Sequence, residues 1–208
     1  MSKSKEQGTS KSGNKKRKQK NAEPDFIDHI PRQVKDAIIF AVAVFLFAHI
    51  NDSPKVAITD SGTCDLSSSP SSVGLTEKEI WQRIYAWCGT ITHQAQAHNI
   101  DPYVIAAIIW VESGGNFKAE SIAGAIGLMQ VMPNDGLAAQ IYGSTFARRP
   151  SSEQLLNPVF NIQTGVELLA SNIERLGSLR EALKAYGPAN AGYSYADKVL
   201  SLYYRIKA

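Results

Sequence analysis

The chain has 208 residues, 44% hydrophobic and 20% charged, with a net charge of +3. That size and balance suit one globular body with extensions rather than a chain that crosses a membrane many times. The charge is uneven: residues 1–20 carry eight Lys/Arg against Glu6 alone, whereas residues 75–208 carry eleven Lys/Arg and eleven Asp/Glu. A neutral body argues against nucleic acid as the ligand of that body, because phosphate binding needs clustered positive charge.

Residues 1–33 are polar and lysine-rich and read as a disordered, basic cytoplasmic tail. Residues 37–50 read AIIFAVAVFLFAHI. As a helix this run spans about 21 Å, short of a hydrocarbon core of about 30 Å, and starting at Val34 adds a turn. Positive charge lies before it and little after, so residues 34–50 are expected to anchor the chain in the inner membrane with the N-terminus in the cytoplasm. Cleavage of the same segment as a signal peptide, releasing the body to the periplasm, is the alternative. Residues 51–75 include SSSPSS and read as a flexible linker. The two cysteines, Cys64 and Cys88, leave a disulfide or two free thiols both open.

Residues 76–208 have a helical pattern throughout. Thr76-Glu77-Lys78-Glu79 and Ser178-Leu179-Arg180-Glu181 fit capping boxes. Asp101-Pro102 and Asn157-Pro158 each fit an N-cap followed by proline at the first helical position. The helix over 102–113 is apolar nearly all round and is expected at the core, ended by Gly114-Gly115. Further helices are expected from Asn157 to about Leu176, with Gly177 as cap, and from about Tyr195 to Ile206. No alternating strand pattern of useful length appears, so the body is expected to be all-α. His93 and His98 lie five apart, which does not put two imidazoles on one helix face for a metal. Trp81, Trp87 and Trp110 read as core.

Glu112 ends the apolar helix. A carboxylate beside apolar surface is costly to ionise, and the negative end of a helix dipole adds to that cost. Both effects raise its pKa, and a carboxylic acid still protonated near neutral pH can protonate a glycosidic oxygen. An exposed Glu with ordinary pKa is the alternative. Residues 112–133 read ESGGNFKAESIAGAIGLMQVMP. Gly124 and Gly127 there permit close backbone approach to a bound chain. Gln130 offers a donor and an acceptor to sugar hydroxyls or an N-acetyl group.

Three blocks resemble the goose-lysozyme-like lytic transglycosylases of bacteria. They are Glu112-Ser113, then Gly127-Leu128-Met129-Gln130 preceded by Ser121 and Gly124-Ala125, then Ala185-Tyr186 followed by an Ala-Gly and a Tyr-Ala pair. Gly127 follows Ser113 by fourteen positions, as in that family, and the resemblance covers about residues 80–205. It implies a lysozyme-like helical domain over 76–208. It implies Glu112 as catalytic acid and base, and Ser113 as a helix-end residue supporting it. Ser121 resembles the serine that contacts the reacting sugar, and Gln130 a side chain lining the cleft. Tyr186 resembles the tyrosine bonding near the catalytic Glu, and Tyr195 a cleft tyrosine of the last helix. The family usually has Asn directly after Ala-Tyr. Here Gly187 stands there and the Asn-Ala-Gly string is displaced by three residues, which leaves two outcomes open: Asn190 makes that contact through a longer loop, or the contact is lost.

The reaction implied is cleavage of peptidoglycan glycan strands between N-acetylmuramic acid and N-acetylglucosamine, closing a 1,6-anhydro ring without metal or organic cofactor. A hydrolytic muramidase needs a second carboxylate, for which Asp135 and Glu120 are nearest in sequence. A non-catalytic wall-binding module is the alternative of another class. The anchored single-domain layout resembles enzymes that accompany secretion, conjugation or pilus machinery, and such machinery is the expected partner.

Overall fold

The computed structural model describes residues 63–68, 70–74 and 77–208. These contain helices α1 (Lys78–Tyr85), α2 (Cys88–His98), α3 (Pro102–Ser113), α4 (Leu137–Tyr142), α5 (Ser152–Leu155), α6 (Pro158–Leu176), α7 (Leu179–Tyr186) and α8 (Ser194–Lys207). A single 3-10 turn, Gly143–Thr145, follows α4. Among the described residues β-structure is limited to the isolated bridges Glu120–Ile126 and Ile126–Val131, so the all-helical expectation holds for them.

Local chemistry sets the helix ends. Asp101 Oδ1 accepts the Tyr103 N–H at 2.9 Å and Pro102 opens α3, where its missing N–H costs nothing. Asn157 and Pro158 open α6 in the same way. Gly114 and Gly177 close α3 and α6 in the left-handed region. The two anticipated capping boxes fare differently. Thr76 lies outside the described residues, and Glu77 makes no side-chain cap; its carboxylate takes Arg205 at 2.6 and 2.9 Å. Ser178 does cap α7, but the Glu181 carboxylate accepts from the Tyr193 hydroxyl at 2.6 Å. A complete box forms instead at Ser151 and Gln154, opening the short α5.

Helix α3 is the centre of the core. Ile105, Ala106, Ala107, Ile108 and Ile109 have no exposed surface. Helix α8 lies along α3, α7 along α6 and α8, and α2 contacts α3 and α6. This wraps the apolar helix on several sides, which is why its sequence carries no polar face. Trp81, Trp87 and Trp110 are all buried in this core.

Residues 63–74, read from sequence as part of the linker, lie against the body where they are described. Leu66 is buried. The Ser67 carbonyl accepts from Trp81 Nε1 at 3.0 Å, and its N–H donates to the Tyr103 hydroxyl at 2.9 Å. Cys64 and Cys88 form a disulfide that ties this strap to the start of α2. The Ser/Pro composition hides these anchors, because backbone groups rather than side chains make most of them. The basic tail and the apolar segment 34–50 lie outside the described residues. Among those described, no helix is long and apolar enough to cross a membrane.

Replacing both Cys64 and Cys88 by Ser removes a cross-link spanning 24 residues. The expected loss is about 3 kcal/mol of stability, read as a lower urea midpoint; an unchanged midpoint would show that the strap holds without it.

Candidate active site

Glu112 lies in the last turn of α3 and is half-buried. Its Oε1 accepts a 2.5 Å hydrogen bond from the hydroxyl of Tyr195, a buried residue in the first turn of α8. Burial pushes the Glu112 carboxyl up to about 7, while the Tyr195 hydroxyl and the charge of Lys198 pull the other way. Burial wins because most of the carboxyl's surroundings are protein rather than water, so the ion loses more hydration than one phenol restores. Tyr195 is held well above its ordinary pKa by burial and by the carboxylate it faces. It therefore stays a donor at any physiological pH.

Tyr186 ends α7, and its hydroxyl donates to the Met129 carbonyl at 2.9 Å. Its phenol is also raised, first by burial and then by the charge of Glu112. The two tyrosines thus divide the work: Tyr195 bonds the carboxyl directly, and Tyr186 pins the neighbouring loop while sharing the same electrostatic field. Tyr186, which the family resemblance places near Glu112, bonds Met129 within reach of that carboxyl's charge, and the direct partner of the carboxyl is Tyr195.

The loop 114–135 is fixed from both sides. Ser113 Oγ sits 2.8 Å from the Leu128 carbonyl and 3.1 Å from the Ile109 carbonyl, so its hydroxyl latches the loop to the end of α3. Ser121 Oγ accepts from the Ala125 N–H at 2.9 Å, and the two backbones also pair. Gln130 adopts a positive φ of 47° and spends its side-chain N–H groups on the carbonyls of Gly127 and Ala119, at 3.0 and 3.2 Å. Gly127 has φ 79°, and a Cβ there would lie 2.3 Å from Asn161 Nδ2. The space that the sequence assigns to a bound chain at Gly127 is therefore filled by Asn161. Asn190 is exposed on the connection between α7 and α8, within a turn closed by the Ala191 N–H and the Pro188 carbonyl.

Asn161 is the residue sequence reasoning missed. It is fully buried, accepts from the Met129 N–H at 2.9 Å, and donates to the carbonyls of Ile126 and Leu155 at 2.7 and 3.0 Å. The signal was present: Asn161 falls in the buried stripe Pro158, Ile162, Gly165, Val166 and Leu169 of α6, where a polar group must have partners. Arg149, half-buried with its pKa lowered by burial, adds a positive charge felt by Tyr186.

Residues 89–205, more than half of the chain, match the family model described as the transglycosylase SLT domain. The chain belongs to that family. Similar proteins include a transglycosylase of Enterobacteria phage PRD1, 36% identical over 121 residues, which are 55% of this chain and 42% of that protein. Others are a membrane-bound lytic murein transglycosylase E of Buchnera aphidicola, 34% identical over 46% of this chain and 43% of its own length. A third is an endo-type membrane-bound lytic murein transglycosylase A of Klebsiella pneumoniae, 35% identical over 43% of this chain and 44% of its own length. The chain spans less than half the length of these curated relatives. Among solved structures, an inactive glutamate-to-glutamine mutant of lytic transglycosylase Slt from Pseudomonas aeruginosa matches with a TM-score of 0.44 and 26% identity, over 55% of this chain and 22% of that one. The SLT match encloses Glu112, the loop that braces it and both tyrosines.

The carboxyl's raised pKa has a consequence for stability. A carboxyl raised from 4.5 to about 7 on folding favours the native state below pH 4.5, and this advantage is lost as pH rises through 7. Glu112→Gln has no proton to lose. Relative to wild type it is expected to gain about 2.5 kcal/mol between pH 5 and pH 8, read from unfolding curves at both pH values; an equal difference at both pH values would contradict the buried-carboxyl reading.

Proposed function

We propose that this chain is a peptidoglycan lytic transglycosylase that cuts the β-1,4 bond between N-acetylmuramic acid and N-acetylglucosamine and leaves 1,6-anhydro ends. The observation that carries the reading is the half-buried Glu112, raised to about 7 and held by Tyr195. Such a group is available both as acid and as base near neutral pH. SLT family membership supports the reaction class, and relatives named lytic murein transglycosylases support the polymer.

In the proposed course, protonated Glu112 gives its proton to the glycosidic oxygen as the bond to the anomeric carbon breaks. The resulting carboxylate then takes the proton of the sugar's own 6-hydroxyl, whose oxygen closes on that carbon. No water is consumed, and the attack is intramolecular, which removes the cost of recruiting a second molecule. Tyr195 holds the carboxyl's orientation through both steps and stabilises its charged state in the second. A hydrolytic course needs a second carboxylate across the sugar. Asp135 is exposed, and its carboxylate accepts from the Ser152 N–H at 2.9 Å and the Ser152 hydroxyl at 2.7 Å, which lowers its pKa. Glu120 is exposed. Neither has the setting of a buried partner, and this favours the lytic course.

The proposed setting is the periplasmic face of the inner membrane, with residues 34–50 as anchor. The Cys64–Cys88 disulfide supports an oxidising compartment for the body. Two of the relatives are named as membrane-bound. Local opening of the wall for a secretion, conjugation or pilus assembly fits the anchored, single-domain layout.

Purified wall material incubated with the full chain is expected to lose turbidity and to yield anhydro-muramyl ends by mass spectrometry. Glu112→Gln should lower the rate by about a thousandfold, within the usual range for losing a general acid and base. Reducing ends in place of anhydro ends would establish the hydrolytic course, and undiminished cutting by the variant would remove Glu112 from the chemistry.

A further inference from the structure

Gly187 follows α7 with φ −70° and ψ 179°, an extended conformation open to any residue. Pro188 comes next and itself restricts the preceding residue to this region. Nothing in the backbone therefore asks for glycine. The space around it does. A Cβ at position 187 would lie 2.4 Å from Tyr195 Cγ, 2.5 Å from Cδ1 and 2.9 Å from Cβ. These atoms are at the root of a buried side chain, not at a flexible end, so they cannot swing aside cheaply. The base of the Tyr195 ring thus takes the space that a side chain at 187 would fill, and its far end carries the hydroxyl that reaches Glu112 at 2.5 Å.

The segment is fixed on both sides of this contact. The Gly187 N–H donates to the Leu183 carbonyl at 3.0 Å, and the preceding Tyr186 is pinned to Met129 through its hydroxyl. Beyond it, the Ala191 N–H bonds the Pro188 carbonyl at 2.9 Å and the Ser194 N–H bonds the Ala191 carbonyl at 3.1 Å, leading directly into α8. One short, turn-rich connection thus sets both tyrosines.

We propose that Gly187 is a positioning residue for the reaction: its missing side chain seats the Tyr195 ring so that the phenol meets the Glu112 carboxyl. It acts on the carboxyl only through the Tyr195 ring. The reading rests on Glu112 being the catalytic group proposed above. The charged and titratable groups acting on that carboxyl are Tyr195 and Lys198 from α8 and Tyr186 from α7.

The test uses the full chain with Gly187→Ala, Tyr195→Phe and both together, and with Gly74→Ala as control, since a Cβ at Gly74 meets nothing within 4 Å. Gly187→Ala is expected to slow wall cutting about tenfold or more, as small displacements of catalytic groups do. Because the lost phenol bond is one that lowers the Glu112 pKa, the carboxyl titration, followed by carbon NMR without substrate, should move to higher pH. The double variant should lose little beyond Tyr195→Phe alone, as expected for two residues acting through one contact. A wild-type Glu112 titration in folded Gly187→Ala, or fully additive losses, overturns the proposal. Should Gly187→Ala fail to fold, Gly187→Ala with Tyr195→Ala is expected to fold, because the two nearest clashing atoms, Cγ and Cδ1, are gone and only the Cβ contact at 2.9 Å is left to relax; failure of that pair overturns it as well. The NMR readout separates this outcome from the proposed reaction, because a shifted titration in a chain that cuts no wall would keep Gly187 as the residue that seats Tyr195.

Discussion

The end of α3 and the start of α8 meet at a single hydrogen bond, from the Tyr195 phenol to the Glu112 carboxyl. Two opposing effects act on that carboxyl. Burial favours the neutral acid, whereas the phenol and Lys198 favour the ion. Their balance leaves the pKa about 7, where either protonation state is within reach of a small free-energy change. Complete burial without a donor would hold the proton too tightly for the group to act as a base. Full solvation would release it too early for the group to act as an acid. The rest of the domain can be understood as what keeps this balance in place.

The support comes from backbone-directed polar contacts set in an apolar frame. Helix α3 supplies the frame, since its buried isoleucines and alanines fix where Glu112 emerges. Ser113 latches the loop to that end, Asn161 fills the hollow at Gly127, and Tyr186 holds Met129 from the opposite side. Each of these groups uses a polar side chain to satisfy loop carbonyls or N–H groups that would otherwise be buried without partners. Ser121 and Gln130, which the family resemblance implies as substrate contacts, therefore use side-chain hydrogen bonds on the protein itself.

Much of this was legible in the sequence. The caps at Asp101-Pro102 and Asn157-Pro158 set two helices correctly because their signals are local. The all-round apolar pattern of 102–113 placed the core helix and hence Glu112. What escaped was set by contacts between distant segments. Asn161 bonds Met129 across 32 positions, and nothing near it in the chain announces that partner. Tyr195 reaches Glu112 across 83 positions of the chain, and no local signal marks that pairing. The strap at 63–74 looked like linker because its composition is polar, yet a disulfide and carbonyl contacts hold it to the body.

The proposed chemistry rests on the ionisation of one carboxyl in the folded chain. A direct titration of the Glu112 carboxyl in the unliganded protein is the most immediate measurement. A midpoint close to 7 is the result the account predicts. A midpoint at the ordinary 4.5 would mean that water, not the helix core, surrounds the group, and would contradict it.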